Sequence, residues 1–170
     1  YYFLLPGQKN FSLLIDKEDQ FMTLRAKVAD ITGTMQVKGS LNTELLYRNS
    51  RFQGAQDPEM NQLSQVLRSN PPASAEYKKA KERQNQLLAE RKMHLDTIFR
   101  EHPNAFFTKF KLAGQNPDWP EFRKPNGDLD TLRNLGYFRE HFWDGVDFTD
   151  TRMLYTPVIF NKLKRYIVEL

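Results

Sequence analysis

Residues 35–47 read Met35-Gln36-Val37-Lys38-Gly39-Ser40-Leu41-Asn42-Thr43-Glu44-Leu45-Leu46-Tyr47, and the hydrophobic period changes in the middle of them. Thr34 to Lys38 reads as a short strand. After Gly39, the residues Leu41, Leu45, Leu46 and Tyr47, with Phe52 beyond, recur at helical spacing, and Ser40 or Asn42 can cap that helix by accepting an exposed backbone N–H. A glycine and a capping residue therefore join a strand to a helix. Strands are expected before this junction and helices after it, which predicts an α+β fold.

Toward the N-terminus, Tyr1 to Leu5 is apolar and closes at the turn pair Pro6-Gly7. Phe11 to Ile15 is a second apolar run, ended by the polar cluster Asp16 to Asp19, and Phe21 to Ala26 alternates. Together with Thr34 to Lys38 these predict a short antiparallel β-meander over residues 1–39. So small a meander is marginal alone. It reads as the remnant of a larger β-sandwich-like domain, and the chain as a piece of a longer protein whose first strands precede Tyr1.

Residues 40–170 are predicted as a helical domain of about five to six helices. The first runs through Phe52. Asp57-Pro58 has the form of a helix start, with Asp at the cap and Pro at the first helical position, and leads into Leu63, Val66 and Leu67. Asn70-Pro71-Pro72 ends it. Ser74 to about Glu101 is the longest helix; its apolar stripe is weak early and strong late, so its first half is expected to project into solvent or against a partner. His102-Pro103-Asn104 breaks the chain before a short helix through Phe106, Phe107, Phe110 and Leu112, which Gly114 ends. Residues 115–128 contain Pro117, Pro120 and Pro125 and form a loop. Asp128 or Asp130 starts a helix through Leu132, Leu135, Phe138 and Phe142, and Thr149 caps one short turn. Thr156-Pro157 starts a terminal helix carrying Ile159, Phe160, Leu163, Tyr166 and Ile167.

With no cysteine, the chain holds no disulfide, thiolate zinc site or Cys-x-x-Cys redox pair. No apolar run approaches the roughly 20 residues of a membrane-spanning helix. The net charge of +4 is uneven. Residues 76–111 are basic and 112–155 acidic, which suits solvated faces better than a nucleic-acid groove. A polyanion would have to use Lys78, Lys79, Lys81 and Arg83, and no nucleic-acid partner is expected.

The densest chemistry lies in His141 to Ile167, HFWDGVDFTDTRMLYTPVIFNKLKRYI. Asp144, Asp147 and Asp150, with Glu140 and His141, have the composition of an acid/base pair or a hard-cation site. Their D-x-x-D-x-x-D spacing differs from the EF-hand pattern, and Asp147 and Asp150 stand where turns and helix caps are expected, so capping is the favoured reading. His94, His102 and His141 lack metal-ligand spacing, and neither a phosphate-binding glycine loop nor a G-x-S-x-G nucleophile occurs. No cofactor or metal is expected. Phe106, Phe107, Phe110, Trp119, Phe122, Tyr137, Phe138, Phe142, Trp143 and Phe148 read mostly as core. Trp119 and Phe122, in a proline-rich loop, are the exceptions. Trp119, Phe122, Trp143 and Asp144 are the candidate interaction residues.

Two blocks, Met35 to Tyr47 and His141 to Tyr166, resemble the uncharacterised N-terminal region of thioredoxin-like, thiol-disulfide oxidoreductase proteins secreted by Bacteroidetes-type bacteria. In those proteins a β-rich, lipoprotein-like domain and a helical domain precede a thioredoxin fold. The resemblance implies a periplasmic or cell-envelope location and a non-catalytic accessory or protein-interaction role. The implied partner is a thioredoxin-like domain of the same polypeptide or a client protein, and a lipid anchor upstream is compatible with it. No redox residue carries over, because there is no cysteine. The alternatives are a small-ligand or glycan-binding module using residues 115–150, and a catalytic domain with Asp144, Asp147 or His141 as acid or base.

Overall fold

The computed structural model describes residues 1–7, 9–19 and 21–170, and over them the chain is α+β, with two antiparallel strand pairs and six helices. The first pair is β1 (Tyr2–Leu5) with β2 (Lys9–Ser12), registered Tyr2 to Ser12 and Phe3 to Phe11. Gly7 at φ 79° supplies the left-handed turn conformation that a side chain resists. That turn fixes the register, which extends one pair past β2: the Leu13 N–H donates to the Tyr1 carbonyl and the Tyr1 ammonium to the Leu13 carbonyl, both at 2.9 Å, and the second strand lies earlier than the expected Phe11 to Ile15. The second pair is β3 (Thr23–Arg25) with β4 (Gln36–Lys38), and between them Ile31–Thr34 makes a single helical turn, α1, capped by Asp30. The short meander thus consists of two separate ladders.

The strand-to-helix junction forms as its sequence dictates. Gly39 has φ +82°, and a Cβ there would run into the carbonyl oxygen of Phe21, so only glycine fits. Ser40 caps α2 (Leu41–Ser69), its hydroxyl accepting from the Thr43 N–H at 3.2 Å. Thr43, fully buried, accepts from the Leu14 N–H at 3.1 Å and donates to the Leu14 carbonyl at 2.9 Å, while the Tyr47 hydroxyl donates to the Ser12 carbonyl at 3.1 Å. Beyond Leu13 the backbone, at Leu14, therefore pairs with side chains of α2 instead of another strand. Leu13, Ile31, Met35 and Tyr47 form the core beneath, packed by Leu5, Phe11, Leu24 and Val37. Asn42, the other candidate cap, serves elsewhere: its side-chain oxygen accepts from the Phe107 N–H at 3.0 Å.

Helix α2 runs through Asp57-Pro58, where two helices were expected. Proline removes one N–H and leaves the carbonyl four residues back, on Gly54, without its helical donor. Arg91 of α3 (Ala75–Glu101) steadies that turn, donating to the Gln53 carbonyl at 3.1 Å, Gln56 Oε1 at 3.0 Å and Asp57 Oδ1 at 2.8 Å. Asp57 is thus an ion-pair partner inside a helix, not a cap. The early half of α3 packs against α2 instead of projecting from it: Ala80 and Leu87 are buried, and Arg83 grips Glu59 with bonds of 2.7 and 3.0 Å. Nearer the strands, Leu45, Ile98 and Phe107 form a second core.

The chain divides into two compact units, residues 1–107 and 108–170. The hydrophobic period changes at Gly39-Ser40, but compactness does not, because the strands share a core with α2. Helix α4 (Phe106–Ala113) leads into the second unit, which holds α5 (Thr131–His141), a 3-10 turn at Thr151–Tyr155 and α6 (Pro157–Val168). Asp130 caps α5, accepting from the Arg133 N–H at 3.0 Å. Thr156 caps α6 with Pro157 in its first turn, as the Thr-Pro pair predicts. The cap of the 3-10 turn is Asp150 rather than Thr149.

Candidate functional site

Trp119, Phe138, Phe142, Trp143, Phe148 and Tyr166 assemble into one ladder. Trp119 lies 5.2 Å from Phe138 between ring centres, Phe138 5.8 Å from Phe142, Phe142 5.3 Å from Trp143, and Trp143 5.7 Å from Phe148 and from Tyr166. Phe138 and Phe142 are buried on α5 and just after it, at the i and i+4 spacing that puts both on one face. Trp119 remains half exposed, as expected for the loop. Phe122 is more enclosed than expected, with Tyr137 against its edge at 5.8 Å and the Arg133 guanidinium over its ring at 4.3 Å. Asn134, fully buried, holds that loop by accepting from the Phe122 N–H at 2.9 Å. Phe148 is a correction to the core reading, being 67% exposed.

A lysine completes the ladder. Lys162 on α6 is buried; its ammonium donates to the Gln115 carbonyl at 2.8 Å and lies over the Phe142 ring at 4.4 Å. Aromatic faces carry the negative end of a quadrupole, so they and one carbonyl replace the water the cation has lost. Burial still disfavours the charge, and together with nearby Arg165 it lowers the Lys162 pKa.

Turning Lys162 inward sets the rest of α6. Val158, Ile159 and Arg165 share its inner side, while Phe160 (68% exposed), Leu163 and Ile167 (71%) form a stripe at i, i+3 and i+7 on the outside. Leu154 and Tyr155 on the 3-10 turn and Val168 are exposed as well. Sequence spacing found the apolar stripe of α6 but not its direction. The available signal was Lys162 itself, set between Ile159 and Tyr166 at near-helical intervals.

The carboxylates have other partners. Asp147 Oδ1 accepts from the Thr149 hydroxyl at 2.6 Å and the Thr149 N–H at 3.0 Å, and its Oδ2 accepts from Lys109 at 2.9 Å. These bonds, that from the threonine hydroxyl foremost, hold its pKa at about 2. Asp150 accepts from the Arg152 N–H and from its Nε at 2.7 Å, with Lys109 3.3 Å away, so its pKa is also depressed, Arg152 being the first cause. The D-x-x-D part of the motif is therefore a cap and a turn tied to one lysine, Lys109, which the sequence reading missed. Both carboxylates stay ionised at neutral pH and are not arranged to take up a proton.

Asp144 stands apart from this pair. Its Oδ2 lies 2.7 Å from His141 Nδ1, three residues back, and the imidazole stacks on Tyr137 at 4.2 Å. Asp144 is exposed and His141 partly so, and among the described residues the imidazole has Asp144 as its hydrogen-bond partner and Tyr137 as its ring contact. The geometry of an oriented imidazole is present; a nucleophile in contact with it is not, among those residues. No group of three His, Asp or Glu side chains among them converges to hold a metal ion, and no helix is long and apolar enough to cross a membrane. The basic stretch of α3 is partly spent, Arg83 on Glu59 and Glu90 and Lys81 on Gln84. Trp119 and Trp143 therefore share one ladder, joined through Phe138 and Phe142, whereas Phe122 and Asp144 belong to a neighbouring chain of contacts through Tyr137 and His141.

Comparison of the chain with models of protein families, with curated proteins and with solved structures found no match.

Proposed function

We propose that this chain is a non-catalytic protein-interaction module of the cell envelope that docks a thioredoxin-like domain, either in the same polypeptide or in a client. The exposed stripe Phe160, Leu163 and Ile167, continued by Leu154 and Tyr155, is the observation that carries this reading. Apolar surface clustered on one short helix favours a protein partner over water. The acidic turn supports a structural role for its own part, since Asp147 and Asp150 are committed to Lys109, Thr149 and Arg152. The partner's class and the periplasmic location rest on the resemblance of residues 35–47 and 141–166.

Isothermal titration of a thioredoxin-like domain into the chain tests the proposal. Saturable binding is expected, weakened at least roughly tenfold by Phe160→Ser or Ile167→Ser, because anchor residues of an interface each carry more than about 1 kcal/mol. Binding that neither substitution alters would overturn the choice of face.

A further inference from the structure

Within the first unit, β3, α1, β4 and the opening turns of α2 enclose an open cleft of about 670 Å³. Sites for small molecules span roughly 300–1,000 Å³, so the space suits one. Its chemistry comes from few residues. Arg25 and Lys27 stand on one wall; Glu44, Tyr47 and Arg51 stand on α2 at i, i+3 and i+7, which puts all three on the side of the helix that faces the cleft. Met35 lies between the two walls and is buried.

Three cations against one carboxylate leave the cleft with a surplus of two positive charges. The side chains of Arg25, Lys27 and Glu44 make no hydrogen bond or ion pair among the described residues, in contrast to Arg83 and Arg91, which are bound to carboxylates. Arg51 uses one nitrogen to donate to the Met35 carbonyl at 2.9 Å, and that bond fixes the guanidinium at the wall. A fork held in this way is already ordered for a carboxylate or phosphate, so little side-chain entropy remains to be lost on binding. Between the charges the surface is carbon. Tyr47 spends its hydroxyl on the Ser12 carbonyl and offers the cleft its ring, beside Met35 and Val37.

We propose that this cleft binds a small organic dianion with an apolar body, of the aryl phosphate or aromatic dicarboxylate class. Two negative charges match the surplus, and the apolar body covers the floor formed by Tyr47, Met35 and Val37. Arg25, Lys27 and Arg51 take the anionic groups, and Glu44 disfavours a third one. The site is independent of the α6 face, and either can fail without the other.

Titration calorimetry on the whole chain at low salt tests this with phenyl phosphate, isophthalate and inorganic phosphate as probes. Phenyl phosphate and isophthalate should saturate, and inorganic phosphate, lacking the apolar body, should bind more weakly. Arg25→Gln and Lys27→Gln should each weaken phenyl phosphate roughly tenfold, the loss of one hydrogen bond to a charged group. Since neither side chain has a described partner, both variants should keep the thermal midpoint of the parent. Glu44→Gln should strengthen binding severalfold by removing the opposing charge. Lys78→Gln on α3 changes the net charge as much as Lys27→Gln and should leave binding unchanged. The proposal is overturned if both aromatic probes fail to saturate by about 10 mM, a limit corresponding to less than 3 kcal/mol of binding. Equal weakening by Lys78→Gln and Lys27→Gln would also overturn it, since attraction would then be to net charge alone. So would a loss of affinity in Glu44→Gln.

Discussion

The two units bury polarity in different ways. Residues 1–107 bury neutral groups: Ser40, Asn42 and Thr43 bond backbone that would otherwise be unpaired, and the apolar residues close around them. Residues 108–170 bury the neutral Thr108 and Asn134 too, but add a cation, Lys162, set against aromatic rings, and leave Leu154, Tyr155, Phe160 and Ile167 outside. Hydroxyls and amides need only a matching partner, and they stitch strands to a helix at small desolvation cost. A buried ammonium needs a carbonyl and ring faces. Once α6 supplies that ammonium, its apolar side is on the surface. The contrast separates a unit whose buried polar groups are neutral, among the described residues, from one that turns a lysine inward and an apolar helix stripe outward.

The contrast breaks most severely if either core is emptied. Phe142→Ala should destabilise the second unit by about 3–5 kcal/mol and Phe107→Ala the first by a similar amount, the usual cost of removing a fully buried ring. Amide hydrogen exchange on the whole chain reads the two separately, through α5 for the one and α2 for the other. If the units are independently stable, each substitution accelerates exchange mainly in its own.

Thr43→Val is next in size. It keeps the shape but leaves the Leu14 N–H without its partner and the Leu14 carbonyl with only the long bond from the Ser40 hydroxyl at 3.4 Å, and should cost about 1–3 kcal/mol by chemical denaturation. An unchanged midpoint would mean that the polar seam holds nothing together.

Acid sharpens the comparison further. His94 in α3 stacks on Phe52 of α2 at 4.0 Å, its Nε2 is buried without a hydrogen-bond partner, and burial, with Arg48 nearby, lowers its pKa. The folded state therefore prefers neutral imidazole. Its contribution is complete above the ordinary histidine pKa near 6.5 and is lost as pH falls below that value. Asp147 and Asp150 are depressed in the second unit, so their contribution is complete above about pH 4 and disappears only on further acidification. Protection from exchange in α2 and α3, taken relative to the intrinsic rate at each pH, should thus fall as pH drops below about 6.5, before that in α5. His94→Phe should flatten the first effect, and the double change Asp147→Asn, Asp150→Asn the second. The smallest effect belongs to Arg123→Gln, whose pair with Glu121 is exposed on both sides and should leave the thermal midpoint unaltered within error.

The strand-to-helix switch was legible in residues 35–47 because glycine, a capping serine and a period change say the same thing. The Pro6-Gly7 turn and the caps Asp130 and Thr156 were legible for the same reason. The continuity of α2 was not, since Asp57-Pro58 has the local form of a helix start and only Arg91, 34 residues later, supports the turn before it. Nor did periodicity reveal which side of α6 is inside, because an amphipathic helix reads alike whichever face is buried. In the candidate site, Asp147 and Asp150 were readable as turn and cap from local spacing. Lys109 and Lys162 were not, because ion pairs and cation–π contacts are set by tertiary placement.

Calorimetry with a thioredoxin-like domain tests the outward stripe of α6 as a docking face most directly. Phe160→Ser and Ile167→Ser, both at exposed positions, should leave the melting temperature of the chain unchanged and weaken the complex at least roughly tenfold. An absence of binding by the parent chain, or full affinity in both variants, would contradict it.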